Sequence, residues 1–473
     1  MTASAVQDAV HFERVDAARW RDACSAAAAD GWRFVSLHAA AGEARALFGK
    51  AGAHRLLACP AVDGAVPTLV DLFGAADWDE REAHDLHGIR FAGHEPLRPL
   101  VRHDLDLSTW TVPVDGEDVY QVAVGPIHAS VIESGHFRFH VVGERIIHLD
   151  LRLFYKHRGL EQAAEGRSLR DGLAYAQRAC AACAVTNTVA YAQAAEAALG
   201  RWPDAQLGRA RTLLLELERL YNHLYDIGAV CSGVGFAPGT MAFLSLKERA
   251  QRVNAALGGH RFLFGTVAVD GGSFRVDGDA AREARAEIRR IRGDADRAWR
   301  AILFNGSVQD RLDLVGVVGR EEALCLGTCG PAGRASGIDH DVRTESPRLA
   351  YPGFVPARPE VATGDVQRRL ELRAAELPTT FELLDELLAG PVAPGATRTA
   401  GDPAPLGAAR VESPRGETAV VIETHEGALT RFHLRTGSYR NWPSAGYAAA
   451  DNLLPDFPLI NKSFELCYAC ADR

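Results

Sequence analysis

The sequence predicts an α+β chain in two parts. A small N-terminal α/β domain covers residues 1–110, a linker covers 111–118, and a large, mainly helical domain with small antiparallel sheets covers 119–473. Three observations predict this. Helix and strand signals mix in the N-terminal stretch. Apolar residues then recur at helical spacing from about residue 160 to 303. Two sets of short alternating segments, near 120–151 and 408–435, flank that helical stretch.

The elements follow in order. Residues 16–30 are rich in alanine and open near an aspartate cap, which predicts a helix. Residues 33–38 and 55–59 read as strands. A charged helix over 72–91 closes at Gly88. Its acidic and histidine side chains are read as a solvated face with ion pairs at i, i+4, not as metal ligands. Strands are expected at 120–124, 137–142 and 146–151, with Gly143-Glu144 as a hairpin turn. Helices are expected at 160–166, 168–199, 204–230, 240–260 and 279–303. Leu213, Leu214, Leu217, Leu220, Tyr221 and Leu224 would be bundle core. Residues 304–360 are glycine-rich and loop-like, 362–390 form another helix, and 391–405 form a Pro/Gly/Ala loop. Strands near 408–412, 418–424 and 429–435 lead into a short helical or loop terminus.

Composition limits the function classes. The chain has 473 residues, 47% hydrophobic and 24% charged, enough for large buried cores. A net charge of −9 gives no basic footprint for nucleic acid. Residues 1–8 lack the basic and apolar segments of a secretory signal. No uninterrupted apolar run approaches the ~20 residues that span a bilayer. The protein is expected to be soluble, or peripheral on a partner that spans. The nine cysteines are an odd number without a signal, which argues for a reducing compartment and metal binding over a disulfide scaffold.

Four of those cysteines form two CxxC pairs, Cys180/Cys183 and Cys467/Cys470. Within a pair, i and i+3 can share one helix face, and four thiolates suit zinc or a soft transition metal. Zinc ribbons usually space their pairs about 15–20 residues apart, unlike these. A thioredoxin-like redox pair needs one CxxC in a βαβ context. Inert buried thiols are the remaining alternative. Cys325 and Cys329, four apart, are read as incidental, as are Cys24 and Cys231.

Two resemblances bear on this choice. Trp78-Asp79-Glu80-Arg81-Glu82, Asp85-Leu86-His87-Gly88-Ile89-Arg90-Phe91 and Gly93-His94-Glu95-Pro96-Leu97-Arg98 resemble the 30-kDa-type subunit of respiratory NADH:quinone oxidoreductases, a cofactor-free docking domain in that family. Further on come Gly125-Pro126-Ile127-His128 with Glu133, Phe137-Arg138-Phe139, Tyr155-Lys156-His157-Arg158-Gly159-Leu160-Glu161 with Glu165, and Arg178-Ala179-Cys180. Gly330-Pro331 with Arg334-Ala335-Ser336-Gly337, Glu412-Ser413-Pro414-Arg415-Gly416-Glu417 and Asn441-Trp442-Pro443 follow. This ordered set resembles the large subunit of group 4 membrane-bound [NiFe] hydrogenases of the formate hydrogenlyase type, which carries the 30-kDa-type domain fused at its N-terminus. The 49-kDa-type subunit of NADH:quinone oxidoreductase shares the fold but has lost the nickel cysteines.

The resemblance implies the following roles. Cys180 and Cys467 would be terminal nickel ligands, and Cys183 and Cys470 would bridge nickel and an iron carrying cyanide and carbon monoxide. Magnesium is a further candidate ion. Arg415 would stand over the site, where a guanidinium stabilises developing charge, and Glu133 would relay protons. His128, Arg178, Asn187 and Glu465 would support the centre. The His157-Arg158-Gly159 loop, Glu161 and Glu165 would be supporting or interface groups. The implied partners are an iron–sulfur small subunit, membrane subunits of a complex I-like arm, and a formate dehydrogenase or carbon monoxide dehydrogenase as electron source. The implied location is cytoplasmic, on the inner face of the inner membrane through those partners. The rival enzyme reading is a complex I-like subunit with a quinone pocket near His128 and Arg178, and with NAD and quinone binding as associated functions. A non-catalytic scaffold is a third reading.

The chain departs from the family at three places. Ala181 replaces a glycine, Asn187 stands where the family has histidine, and Glu465-Leu466 replaces Asp-Pro. An asparagine can hydrogen-bond a metal-bound group but cannot carry a proton as histidine does. Many members also have a C-terminal extension removed after nickel insertion. Arg473 falls where such extensions are cut, so the chain is read as a mature form or one without a tail.

Overall fold

A computed structural model of the protein describes residues 10–128 and 133–473. The reading of residues 1–8 lies outside the described residues.

The N-terminal domain is built from β1 (His11–Arg14), α1 (Ala17–Ala29), β2 (Arg33–Ala40), β3 (Glu43–Lys50), β4 (Ala53–Pro60), β5 (Ala65–Pro67), α2 (Ala76–His87) and β6 (Arg90–Ala92). Its main sheet has the order β1-β4-β3-β2, with β1 parallel to β4 and the other pairs antiparallel. The alanine-rich β3 carries a weak strand signal and was not expected. It pairs on both sides because Ala41-Gly42 and Ala51-Gly52 all adopt positive φ, the backbone that two-residue hairpin turns require. One face of the sheet packs under the helices through Trp20, Phe34, Phe48 and Leu57. The other face presents Val35, Leu47 and Leu56 to Ala408, Ala419 and Val421 of the second domain. The sheet is therefore a filling between layers, not an exposed surface.

The second domain opens with the antiparallel meander β7 (Tyr120–Val124), β8 (His136–Val142) and β9 (Arg145–Arg152), as expected. The helices α3 (Leu160–Ala164), α4 (Leu169–Ala179) and α5 (Ala184–Ala198) follow. After β10 (Arg201–Pro203) come α6 (Ala205–Gly233), α7 (Ala237–Gly258), α8 (Gly278–Leu303), α9 (Gly306–Leu312), α10 (Arg320–Cys325), α11 (Gly330–Ala335) and α12 (Val366–Leu387). The chain ends with β11 (Thr397–Thr399), a second meander of β12 (Leu406–Ser413), β13 (Gly416–His425) and β14 (Ala428–Arg435), then α13 (Gly437–Ala449), α14 (Phe457–Phe464) and α15 (Tyr468–Asp472). The axis of the bundle is α6, capped by Asp204, whose side chain accepts from the amide of Leu207 at 2.7 Å. All six of its predicted core residues are buried. No helix among the described residues is long and apolar enough to cross a membrane.

Two expectations are corrected. Helix 168–199 is not continuous but breaks at residues 180–183, between α4 and α5. The charged face of α2 is not solvated either, since Asp79, Glu80, Arg81 and Glu82 are all buried. Asp79 accepts from the amide of Leu37 at 2.6 Å and pairs with Arg435 at 3.0 Å. Glu80 accepts from the amide of Leu69 at 2.6 Å and contacts His94 at 2.9 Å. Glu82 pairs with Arg435 at 3.3 Å and with Arg473. These partners lie outside the helix, Arg435 and Arg473 in the other domain. Local spacing therefore could not reveal them.

Candidate metal centre

Two helix boundaries bring the four predicted cysteines together. Cys180 is the extended residue that ends α4, and Cys183 is the N-cap of α5. Cys467 is the N-cap of α15, and Cys470 sits within that helix. All four sulfurs lie within 4.8 Å of one another. Cys180, Cys183 and Cys470 are buried, Cys467 is half-buried, and none is in a disulfide. In a tetrahedral site with metal–sulfur bonds of about 2.3 Å the sulfurs stand about 3.8 Å apart, so this donor set fits a soft metal centre. Among the described residues it is the only group of three or more His, Cys, Asp or Glu side chains with metal-ligand spacing.

The thiols also share protons. Hydrogen bonds from Cys180, Cys183 and Cys470, with Arg415 adding its charge, hold Cys467 well below the ordinary thiol range. Cys183 and Cys470, inside the same network and buried, are held up.

The scaffold around the sulfurs comes mainly from one face of α6. Glu218, Asn222 and Asp226 recur every four residues along one face of this helix. Glu218 accepts from the amides of Val185 at 2.7 Å and Thr186 at 3.1 Å, which caps α5 just past Cys183. Burial pushes this carboxyl up to about 7 despite those bonds. Asn222 and Tyr221 both donate to the carbonyl of Ala182, at 2.9 and 3.0 Å, and fix the loop between the first two cysteines. Arg158 joins the two cysteine segments, donating to the carbonyls of Arg178 at 2.9 Å, Ala179 at 2.8 Å and Ala469 at 3.4 Å.

Arg415 stands on the turn between β12 and β13 and is buried. It donates from Nε to the carbonyl of Glu465 at 2.6 Å, from Nη2 to Asp226 at 2.9 Å, and from Nη1 to Asn222. Asp226 first, and then Cys467, raise its pKa further above the ordinary value against the cost of burial. The turn needs glycine next to it, because Gly416 has φ +120° and a Cβ there would lie 2.6 Å from the sulfur of Cys329. Asn441, from the Asn-Trp-Pro motif, ties the turn down by donating to the carbonyl of Arg415 at 2.9 Å.

The remaining predicted residues separate. Glu133 accepts from the amide of Ala469, between Cys467 and Cys470, at 2.8 Å. Glu465 is in the left-handed region at φ +51°, and burial together with Asp226 pushes its carboxyl up to about 8. Asn187, one turn past Cys183, is fully buried with neither side-chain amide atom hydrogen-bonded. By contrast His128 is exposed. Arg178 is also exposed, with its guanidinium 5.1 Å from the centroid of the Phe264 ring, and it reaches the centre through its carbonyl alone. Cys329 is buried and Cys325 exposed, and neither joins the cluster. Glu218, Asn222 and Asp226 were not singled out as site residues, whereas Arg158 lies on the loop expected to be a supporting or interface group. Glu216, Arg219 and His223 also interrupt the apolar pattern of α6, so the four-residue spacing of these three does not by itself set them apart.

Comparison with known proteins places the chain. Residues 14–113 match the family model of the 30 Kd subunit of respiratory-chain NADH dehydrogenase, and residues 233–404 match that of its 49 Kd subunit. Both cysteine pairs lie outside the second match. The chain is 30% identical over 439 residues to formate hydrogenlyase subunit 5 of Escherichia coli (strain K12), covering 86% of this chain and 77% of that protein. It is also 30% identical over 440 residues to hydrogenase-4 component G of the same organism, covering 86% and 76%. Its backbone is similar to a chain in the structure of the membrane-bound sulfane sulfur reductase, an archaeal respiratory membrane complex, with a TM-score of 0.69 over 76% of this chain and 100% of that one. At 24% identity that likeness is one of fold. With 30% identity along most of its length and both NADH dehydrogenase subunit types in one chain, the protein belongs to the formate hydrogenlyase type of group 4 membrane-bound [NiFe] hydrogenase large subunits.

Proposed function

We propose that this chain is the catalytic large subunit of a membrane-associated [NiFe] hydrogenase complex that interconverts protons and H2. The observation that carries the reading is the convergence of two distant CxxC pairs into one buried group of four sulfurs within 4.8 Å, beside a buried arginine. Cys180, Cys183, Cys467 and Cys470 would together hold a nickel–iron centre whose iron carries cyanide and carbon monoxide. The bound metals would supply the redox chemistry and the site for hydrogen.

The chain's own residues do the rest. Arg415 holds a fixed positive charge beside Cys467 and Cys183. Its fork has five N–H groups, and three go to Glu465, Asp226 and Asn222. The others would serve a group at the centre. Glu133 lies against the backbone between Cys467 and Cys470 and would carry a proton to and from the centre. The buried scaffold keeps water away from three of the four sulfurs. Electrons would come from an iron–sulfur partner subunit, fed by a formate or carbon monoxide dehydrogenase. Membrane subunits of a complex I-like arm would hold the chain at the cytoplasmic face.

The test is metal analysis and H2 chemistry on chain made with nickel-maturation factors. Stoichiometric nickel and iron, both lost in Cys467→Ser together with hydrogen uptake, is the expected result. Wild-type chain free of nickel would sink the reading and favour the quinone-side one, which the 49 Kd family match supports.

A further inference from the structure

The second cysteine pair is carried on a helix of only five residues, α15. A helix that short does not hold itself in place, so its anchors decide where Cys467 and Cys470 sit. Some are local. The Cys467 amide donates to Ser438 at 3.1 Å and the Ala469 amide to Glu133 at 2.8 Å. The amide of Arg158 donates to the carbonyl of Arg473 at 2.9 Å.

His157 and Lys156 also hold Asp472, Arg158 and Thr436 donate to the carbonyls of Ala469 and Cys470, and one further anchor crosses between domains. The side chain of Arg473 is buried, its guanidinium 4.9 Å from the centroid of the Tyr439 ring. It pairs with Glu82 on α2 of the N-terminal domain and with Glu161 on α3 at 3.2 Å, and donates to the carbonyl of Leu434. Glu82 is held in turn by Arg435 at 3.3 Å, and Glu161 accepts from the amide of Leu434 at 2.9 Å. Both carboxylates are therefore positioned by β14, and Arg473 enters between them.

We propose that Glu82 and Glu161 form a receptor for the Arg473 guanidinium that seats the second cysteine pair against the first. The N-terminal domain is then a positioning part of the sulfur centre as well as a docking module. The consequence for metal loading rests on the function proposed above, whereas the seating itself does not.

The test is alkylation of the metal-free, full-length chain with iodoacetamide, each cysteine followed by mass spectrometry. Cys470 reports the seat, while Cys24, Cys59 and Cys231, all buried elsewhere, report the rest of the fold. Glu82→Gln and Arg473→Gln are each expected to speed labelling of Cys470 about tenfold or more by local opening, with the other three protected as in wild type. Unchanged labelling of Cys470 in both variants overturns the proposal. So does a general loss of protection in both, because the pair would then support the whole fold and not the terminal segment. Nickel content of the same variants is a separate readout. A wild-type chain without nickel defeats the metal reading and leaves the labelling result standing.

Discussion

On the proposed function Arg415 is the residue on which the chemistry would turn, and its environment says what a substitution will do. The guanidinium is fixed at three points by groups from α6 and by the carbonyl before the second cysteine pair. A lysine keeps the charge but not the planar fork. Arg415→Lys is therefore expected to retain nickel and lose about 10²–10³-fold in hydrogen turnover, the usual scale for removing one placed donor. Metal analysis beside H2 electrode measurements checks this, and an unchanged rate would show that the fork is not used. Glu133→Gln keeps the hydrogen bond to Ala469 within reach and removes the exchangeable proton. It is expected to slow turnover by about 10²-fold with metal content intact. Slow hydrogen–deuterium exchange catalysed by the variant is the matching readout.

At the scale of the element, α2 shows how a helix reads as surface and ends as core. Its sequence, Ala-Asp-Trp-Asp-Glu-Arg-Glu-Ala-His-Asp-Leu-His, has the charge pattern of a solvated face. Burial is tolerated because each buried carboxylate meets a cation or a backbone amide, and a buried charge deprived of its partner costs about 3–5 kcal/mol. His94 belongs to this network, at 3.1 Å from Asp77 and 2.9 Å from Glu80. Burial opposes its charge, but hydrogen bonds to Asp77 and Glu80 outweigh that and raise its pKa to about 9. The folded value lies above the unfolded one of about 6.5. The stabilisation is then fully present below pH 6.5 and is lost as pH rises through 9. Melting temperatures of the chain should fall across that window, and His94→Gln should flatten the fall. A wild-type slope retained in the variant would assign the loss to another group.

For the whole molecule, the sheet of the N-terminal domain and the second meander share one apolar layer through Val35, Leu47, Leu56, Ala408, Ala419 and Val421. Leu47 is fully buried there. Leu47→Ala is expected to cost about 2–5 kcal/mol, and to lower a single calorimetric transition for both domains because the layer belongs to both. Two separated transitions, only one of them shifted, would show that the domains melt independently. The joined architecture also explains the placement of the cysteines. The long chain between the pairs returns to its start because β12 and β13 are stacked on α5, the helix that Cys183 caps.

Much of this was legible in the sequence. Strand alternation and helical periodicity outlined both meanders and the bundle, because these patterns depend on which residues face water and which face the core. The two CxxC pairs marked a candidate metal centre by residue type and spacing, and the family resemblance singled out the Ser-Pro-Arg-Gly turn. What the sequence could not contain was the identity of partners far apart along the chain. The breaks in helical structure at Cys180 and Cys467, the burial of α2 and the anchoring of Arg415 to Asn222 and Asp226 all depend on elements brought together only by folding. By itself the sequence determined which residues could bind a metal. The tertiary structure decided that their sulfurs meet, because only packing α5 against α6 and the second meander, and α15 against α4 and α13, removes them from water and places them within bonding reach of one centre.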